Sequence, residues 1–290
     1  MEANLPDEGY ELKEMAEEEP HPKRPKAAAA AAISDWDVER HTLWVELTEL
    51  KLFQVLVAMM GDKESAINFQ WTPEHLVLLA QPCSYTMYII AQIAPGFFES
   101  YHGADASKIW VVGDSDWTQC LTSLLNLNAS SMRIFHVRGE VGLHVDGVGA
   151  LRSETVLPEQ TTEPTGPDSN VDQPYPVEVE VERELLQRVL KSIQKDTLGI
   201  EWDGAQQALV FSHEESRVVL QVKAAPASVP HGLKGHYTRA HLERVVAKGG
   251  AHLTSVKIAW DPHFPLRLTV CMGPHISVRA FIPQRDNEAL

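Results

Sequence analysis

Positively charged side chains recur at helical spacing in two segments of the second half of the chain. Arg188, Lys191 and Lys195 lie three and four residues apart in one segment, and Arg244 and Lys248 lie four apart in the other. Each set flanks an apolar stripe of the same period, which predicts two amphipathic helices with a basic face. One such face is ordinarily a solvated helix surface; two of them in one acidic protein favour a binding role. The stripes consist of Leu186, Val189, Leu190 and Ile193 in the first segment, and of Leu242, Val245 and Val246 in the second.

One short segment suggests covalent chemistry. Gly113-Asp114-Ser115 resembles the nucleophile block of GDSL-type hydrolases, which also need a later Asp-x-x-His pair. Asp261-Pro262-His263 has the wrong spacing for that pair. Ser115 is therefore interpreted as the N-cap of a helix starting at Asp116, with hydrolysis as the alternative.

Metal and cofactor sites have no support in the sequence. The 13 histidines are scattered without an HxH or HxxxH pair. Cys83, Cys120 and Cys271 form no CxxC pair, so we expect buried free thiols. No GxxxxGK[ST] or GxGxxG segment occurs. The sequence predicts no metal, no cofactor and no enzyme activity.

Composition predicts a soluble, intracellular, folded protein. Of the 290 residues, 44% are hydrophobic, which is enough for a packed core. No apolar run approaches the roughly 20 residues that span a membrane, and the acidic N-terminus does not resemble a secretory signal. The net charge of -15 excludes a protein that coats nucleic acid with its whole surface, but it allows a local basic stripe.

Two segments of low hydrophobicity divide the chain. Residues 1–40 are predicted to be a disordered tail, acidic at first and ending in the alanine run 27–32. Residues 158–176 contain five prolines and are predicted to be an extended linker. The folded domains are then 41–157 and 177–286, with 287–290 as a short C-terminal tail. The basic cluster 23–26 fits either a nuclear import signal or a random basic patch.

The folded part reads as one unit repeated four times, in the order strand, helix, strand, strand, strand. The fold class is therefore α+β, with two similar domains of two units each. The predicted elements are 42–48, helix 49–60, 66–71, 75–81 and 84–92; 107–113, helix 115–127, 131–138, 141–147 and 150–157; 177–181, helix 183–195, 198–202, 206–212 and 216–224; 233–238, helix 239–248, 254–260, 266–272 and 275–282.

This order of elements resembles the PCNA family of DNA sliding clamps. Four local stretches are similar to segments of that family, and they follow in the correct order over about 245 residues. They are Trp71-Thr-Pro-Glu-His75-Leu-Val-Leu-Leu79, Phe97-Phe98-Glu99-Ser100-Tyr101, Phe264-Pro265-Leu266-Arg267-Leu268-Thr269-Val270, and Ile276 to Pro283 followed by Gln-Arg-Asp-Asn-Glu. The linker at 158–176 stands where the family has its interdomain connector.

The resemblance implies a DNA-clamp fold with helices on the inner face and antiparallel sheets outside. It implies a processivity factor that encircles double-stranded DNA without sequence specificity. The expected partners are DNA polymerase, other proteins with a clamp-binding motif, and further copies of the chain in a ring homotrimer. The expected role is DNA replication and repair in the nucleus or at a viral replication site, with no membrane partner.

The resemblance also assigns the DNA-binding residues. Arg188, Lys191 and Lys248 match basic inner-helix positions of the family, and Lys51 on the first helix is given the same role. Lys195, Arg239 and Arg244 are added from their spacing alone. The chain departs from the family in its second helix, 115–127, which has no Lys or Arg. This unequal charge fits two other kinds of protein: a checkpoint-type heterotrimeric clamp subunit, or a herpesvirus-like accessory factor that closes no ring. The alternative from a different functional class is a β-rich scaffold without a DNA role.

Two contact surfaces follow from the same resemblance. Partner proteins of the family insert an aromatic plug into an apolar groove beneath the connector. The positions that match this groove are Trp71, His75, Leu76, Leu78, Pro265, Ile282 and Pro283. Subunits of the family pair edge strands, which match 150–157 and 216–224 here. The alternatives are ordinary strand residues in place of the groove, and monomeric edges guarded by Arg152, Glu154 and Arg217.

Overall fold

The first half of the folded chain contains two of the predicted units. The computed structural model describes residues 43–61, 66–81, 87–103, 108–126, 128–137, 140–147, 152–158, 174–214, 216–222, 234–261 and 263–285. The first unit comprises β1 (Trp44–Leu47), α1 (Leu50–Met60), β2 (Ala66–Trp71), β3 (Leu76–Ala80) and β4 (Tyr88–Ile93), followed by a 3-10 turn (Pro95–Phe97) and β5 (Ser100–His102). The second comprises β6 (Lys108–Gly113), α2 (Asp114–Asn126), β7 (Ala129–Val137), β8 (Glu140–Gly147) and β9 (Arg152–Pro158).

The second half repeats this order. The third unit comprises β10 (Val177–Glu182), α3 (Arg183–Ser192), β11 (Thr197–Asp203), β12 (Ala208–His213) and β13 (Ser216–Gln221). The fourth comprises β14 (Lys234–Thr238), α4 (Arg239–Lys248), a 3-10 turn (Gly250–His252), β15 (Ser255–Trp260), β16 (Leu266–Met272) and β17 (Ile276–Ile282). The predicted tails at 1–40 and 287–290, and most of the linker at 158–176, lie outside the described residues.

The predicted α+β class and the fourfold order of elements are confirmed, with three local differences. Helix α3 ends at Ser192 instead of 195, because Ile193 is already extended and the Ser192 hydroxyl donates to the Val189 carbonyl at 2.7 Å. Strand β5 lies between 92 and 107, where no strand was predicted. Helix α2 begins at Asp114, so Ser115 lies inside the first turn and is not the N-cap.

The units of each half exchange their first strands. Strand β1 pairs with β7 of the second unit, and β6 pairs with β2 of the first. In the same way β10 pairs with β15, and β14 pairs with β11. A single unit therefore cannot complete its own sheet, and the two units of a half must fold together.

One antiparallel sheet spans both halves of the chain. Its eight strands follow the order β10-β15-β16-β17-β4-β3-β2-β6, so four strands come from each half. The halves meet where β17 pairs with β4, from Ile276 opposite Ile93 to Phe281 opposite Tyr88. A five-stranded sheet (β5-β1-β7-β8-β9) and a four-stranded sheet (β13-β12-β11-β14) belong to one half each. All described residues belong to one compact unit, 41–290.

The four helices form one layer against these sheets. Helix α1 contacts α2 and α4, and α4 contacts α3, which gives the row α2-α1-α4-α3. Large aromatic side chains fill the space beneath it: Trp117 of α2 stacks on Phe69 of β2 with ring centroids 4.6 Å apart. In the second half, the buried Trp260 indole donates to the Tyr237 hydroxyl at 2.7 Å. Burial of this apolar helix face supplies most of the stabilisation of the layer.

Arginine side chains join neighbouring helices by hydrogen bonds to carbonyls near helix ends. The Arg244 Nε atom of α4 donates to the Met59 carbonyl at 2.9 Å, in the last turn of α1. Helix α1 has no basic residue of its own in that turn, so Arg244 supplies the cation that its exposed carbonyls favour. Since α1 and α4 come from different halves, this hydrogen bond joins the halves within the helix layer.

We predict that Arg244→Ala lowers the free energy of unfolding by about 1–3 kcal/mol, because the variant loses a charge-assisted hydrogen bond and leaves a helix carbonyl without its donor. The measurement is urea denaturation at neutral pH. Arg188→Ala is the matched control, because Arg188 is exposed, and we expect it to stay within about 0.5 kcal/mol of wild type. Equal unfolding midpoints for Arg244→Ala and Arg188→Ala would contradict the assignment.

Candidate nucleic-acid and partner-binding surfaces

The solvent side of the helix layer carries a group of cations in the second half of the chain. Arg188 and Lys191 of α3, Lys195 just after α3, and Lys248 at the end of α4 are all exposed. The Arg188 side chain is 76% exposed, and it lies 4.0 Å from the exposed Glu184 carboxylate. An ion pair this open to water contributes little, so it leaves Arg188 able to attract another anion.

Arg239 and Arg244, which spacing grouped with these cations, make contacts within the protein. The Arg239 guanidinium donates to the Leu190 carbonyl at 3.3 Å and to the Lys195 carbonyl at 2.9 Å. It also donates to the Glu243 carboxylate at 2.6 Å. Arg239 therefore ties the end of α3 to the start of α4, as Arg244 ties α4 to α1, and both side chains position helices. Helical spacing did not reveal this, because the acceptors are carbonyls distant in sequence.

The first half presents a different surface on the same side. Lys51 of α1 is exposed, and the exposed side chains that the structure describes on α2 are polar and uncharged. One of them, Thr122, accepts a hydrogen bond of 3.4 Å from the Gln54 amide of α1. Among the α2 side chains that the structure describes, the exposed polar ones are Gln119, Thr122, Ser123 and Asn126.

The residues predicted to form a partner groove do not converge. Trp71, Leu76, Leu78 and Ile282 are each 0% exposed and lie in the core, so they cannot line a surface groove. Their side chains occupy the face that packs on the helices, since they alternate in the same phase as Phe69, which stacks on Trp117. His75, Pro265 and Pro283 remain at least partly exposed.

The sheet register separates the predicted groove residues further. Leu76 is level with Ile276, because both pair with Ile93. Pro283 lies seven residues after Ile276 in the direction of β17, which is roughly 23 Å from the level of Leu76. His75 therefore lies at the opposite end of the sheet from Pro265 and Pro283.

An apolar patch faces outward beside Pro265 and Pro283. It consists of Leu79, Tyr88, Ile90 and Phe281, which we name the outer patch. Leu79 pairs with Ile90, and Tyr88 pairs with Phe281, so the four side chains occupy two adjacent rows on the face opposite the helices. Ile90 and Phe281 are 7% and 4% exposed, whereas Leu79 and Tyr88 are partly exposed. The sequence analysis placed Leu76 and Leu78 of β3 on the outer face, whereas Leu79 lies there. The signal in the sequence was the pair of polar residues Asn68 and Gln70 on β2, which pair with Leu79 and Val77 and so mark the outer face.

The end of the linker is anchored next to the outer patch. The Tyr175 hydroxyl donates to the Pro265 carbonyl at 2.7 Å, and the Arg267 guanidinium lies 4.6 Å above the Tyr175 ring. Burial raises the pKa of Tyr175, and the Arg267 cation partly offsets this rise. Arg267 pairs across the sheet with Phe281, which brings the chain after the linker alongside the patch.

The predicted subunit-contact strands lie at sheet edges. Among the described strands, β9 pairs only with β8, and β13 pairs only with β12. On β13, Val219 is 39% exposed, an unusual position for a large apolar side chain. Arg217 lies 3.9 Å from the Asp203 carboxylate of β11. Edges of this kind leave backbone hydrogen-bonding groups unpaired.

The geometry offers nothing to the hydrolase alternative. Ser115 follows β6 at one edge of the eight-stranded sheet, whereas Asp261 and His263 follow β15, six strand positions away. At about 4.8 Å a strand, that separation is roughly 29 Å, too far for a catalytic triad.

Cysteine and metal expectations have separate outcomes. Cys271 is exposed on β16, so the prediction of a buried thiol is wrong there; Cys83 and the Cys120 side chain lie outside the described residues. Within the described ranges, no group of His, Cys, Asp and Glu could hold a metal ion.

No helix among the described residues is long and apolar enough to cross a membrane.

Comparison with solved structures identifies the architecture. The chain is similar to a chain in the crystal structure of a PCNA2–PCNA3 complex from Sulfolobus tokodaii, with a TM-score of 0.69 and 16% sequence identity. The match covers 84% of this chain and 99% of that chain. The chain has the sliding-clamp fold. No family model and no curated protein matches the sequence.

The clamp fold accounts for the repeated units and the helix layer. It agrees with the predicted α+β class, with antiparallel sheets on one side and four helices on the other. At 16% identity the similarity concerns the fold, so residue roles must come from this chain's own side chains.

One histidine of this clamp-fold chain lies under the helix layer. His241 of α4 is 7% exposed. Burial lowers the pKa of His241, and the nearby Arg285 and Arg244 cations lower it further. The Arg285 side chain is held in place by its hydrogen bond to the Thr197 hydroxyl at 2.9 Å. His241 is therefore a neutral core residue near pH 7.

We predict that the free energy of unfolding falls as the pH drops below about 6.5, the ordinary histidine pKa. The unfolded chain takes up a proton at His241 in this range, whereas the folded chain resists it, so protonation favours unfolding. In the His241→Gln variant this contribution is absent. Urea titrations between pH 7.5 and 5 should give a shallower pH dependence for the variant, and identical slopes would refute the assignment.

Proposed function

We propose that this chain is a subunit of a DNA sliding clamp, a non-enzymatic processivity factor that encircles duplex DNA and holds DNA polymerase on it. The observation that supports this most is the helix layer, whose solvent side carries Arg188, Lys191, Lys195 and Lys248. These long side chains suit phosphate contact without base recognition, as a sliding protein requires. In the proposed ring, this helix layer faces the DNA.

The rest of the molecule supports the same function electrostatically. The chain has a net charge of -15, so its cations on the helix layer are a local exception. Glu178, Glu180 and Glu182 are all exposed along β10 on the side of the sheet away from the helices. Acidic outer surfaces repel DNA, which directs it toward the helices.

Ring closure in this proposal uses the edge strands. Strand β9 of one subunit pairs with β13 of the next, which satisfies backbone groups at both edges and covers Val219. We propose a homotrimer that acts in DNA replication and repair in the nucleus. A checkpoint-type heterotrimeric subunit, or an accessory factor that closes no ring, is the second candidate, and the absence of Lys and Arg from α2 favours it.

The deciding experiment compares a closed circular plasmid with the same plasmid linearised. A closed ring should stay on the circle after dilution into about 0.3 M salt and leave the linear form through its ends, because its attachment is topological. Mass measurement in solution on the same sample gives the number of subunits. Equal loss from both plasmids would identify a binder that closes no ring, and binding to neither would leave a scaffold without a DNA role.

Partner proteins are proposed to bind at the outer patch. The accessible part of its apolar floor is Leu79 and Tyr88, since Ile90 and Phe281 are almost fully buried, and Pro265, Pro283 and the Tyr175 anchor border it. An aromatic side chain on an extended peptide can cover the exposed part of this floor. The predicted site thus keeps Pro265 and Pro283 but replaces the buried residues with outward-facing ones.

We predict that Leu79→Glu weakens binding of a clamp-binding-motif peptide at least tenfold, because a carboxylate in the apolar patch must be desolvated when the aromatic side chain docks. Fluorescence anisotropy of the labelled peptide measures the affinity. Gln92→Glu is the matched control: it adds the same charge on the same face of the sheet, one row outside the patch. Equal weakening by both variants would contradict the proposed location.

A further inference from the structure

Arg285 holds the last described stretch of the chain against the four-stranded sheet. Strand β17 ends at Ile282, and the three residues that follow leave the eight-stranded sheet. The Arg285 backbone amide donates to the His236 carbonyl of β14 at 2.8 Å. The Arg285 guanidinium donates to the Thr197 hydroxyl of β11 at 2.9 Å. Since β14 and β11 are neighbours in the four-stranded sheet, Arg285 joins the chain that leaves one sheet to the other sheet.

The first half of the chain contains the corresponding contact in a longer form. Strands β4 and β17 are the two that pair where the halves meet. After β4, the Glu99 amide donates to the Glu46 carbonyl of β1 at 2.8 Å, and β5 then pairs with β1 over three residues. After β17, within the residues that the structure describes, Arg285 alone makes this backbone contact with β14, and its side chain adds a second hydrogen bond.

Pro283 lies between this contact and the outer patch. It follows Ile282, which pairs with Leu266, and it is two residues from Phe281 of the patch. Strand β17 therefore fixes the chain before Pro283, and Arg285 fixes the chain after it. Proline has no amide hydrogen to donate, and Pro283 is exposed, so its position depends on these two flanking points.

The place where the Arg285 side chain binds is itself well supported. Thr197 follows the connection between α3 and β11, and Arg239 of α4 binds two carbonyls of that connection. The Arg239 amide donates to the Asp196 carbonyl at 2.8 Å, and its Nε atom donates to the Lys195 carbonyl at 2.9 Å. The Arg285 guanidinium is therefore bound at a fixed point of the second half and not in the outer patch.

We propose that Arg285 is a positioning residue of the partner-binding site, which holds Pro283 beside the outer patch without itself touching the partner. This inference rests on the proposed partner site. With Arg285 bound, the segment from Pro283 to Arg285 is already ordered when a peptide arrives. Without it, the peptide must order that segment, and fixing the backbone of one residue lowers an equilibrium constant by on the order of tenfold.

The test measures the affinity of a labelled clamp-binding-motif peptide for the full chain at pH 7.5. Arg285→Ala should weaken binding about fivefold to tenfold, and Thr197→Val about threefold, because each variant removes the same side-chain hydrogen bond. Arg285→Lys keeps a donor for the Thr197 hydroxyl and should restore most of the affinity. The double variant should bind no more weakly than Arg285→Ala, since the two residues act through one contact.

Lys234→Ala is the matched control. Lys234 is an exposed cation on β14, two residues from His236, so its removal changes the charge of the same strand and leaves the Arg285 contacts in place. It should bind the peptide as wild type does. Urea denaturation of each variant separates positioning from stability, because a merely structural role of Arg285 would lower the free energy of unfolding and leave the affinity of the folded protein unchanged.

Two results would overturn the inference while the partner site stands. In the first, Leu79→Glu weakens peptide binding but Arg285→Ala and Thr197→Val bind as tightly as wild type. In the second, the losses of the two single variants add in the double variant, so the residues act separately. Failure of the partner site itself looks different: wild type then does not bind the peptide, or Leu79→Glu binds as well as wild type, and the inference falls with the site.

Discussion

The pairing of β4 with β17 is the contact on which the rest of this molecule depends. It joins four strands from each half into one sheet, from Ile93 opposite Ile276 to Tyr88 opposite Phe281. Because the sheet is continuous, its two faces are continuous too. One face contacts α2, α3 and α4, and the other carries the outer patch beside the end of the linker. Without this pairing neither proposed binding surface would exist as a unit.

The basic residues of the helices divide into two classes. Arg239 and Arg244 lie close to carbonyls of neighbouring helices, where a rigid planar guanidinium can satisfy groups that a helix end leaves open. Arg188, Lys191, Lys195 and Lys248 point to solvent, where flexible cations suit a mobile phosphate backbone. Arg239 and Arg244 fix the relative positions of the helices, and the exposed cations are the residues proposed to contact phosphate.

Much of the fold was predictable because its elements have clear local signals. The alternation in Val177–Glu182 and the apolar stripe of Leu186, Val189 and Leu190 each specify one element with its buried side. The groove was not predictable in the same way. Strand β3 is apolar at every position from Leu76 to Ala80, so its composition does not show which residues face the helices. The pairing of β3 with β2, whose Phe69 packs on Trp117, decided which β3 residues face the helices.

The sequence by itself determined the four repeated units, the amphipathic helices and the uneven distribution of their cations, because each depends on residues close together in the chain. Tertiary structure alone decided that the units exchange first strands, that Arg239 and Arg244 bind distant carbonyls, and that Leu79 instead of Leu78 faces outward. The physical reason is that strand partners and hydrogen-bond acceptors are chosen across long separations. A local sequence pattern does not determine which distant backbone group will pair with a given residue.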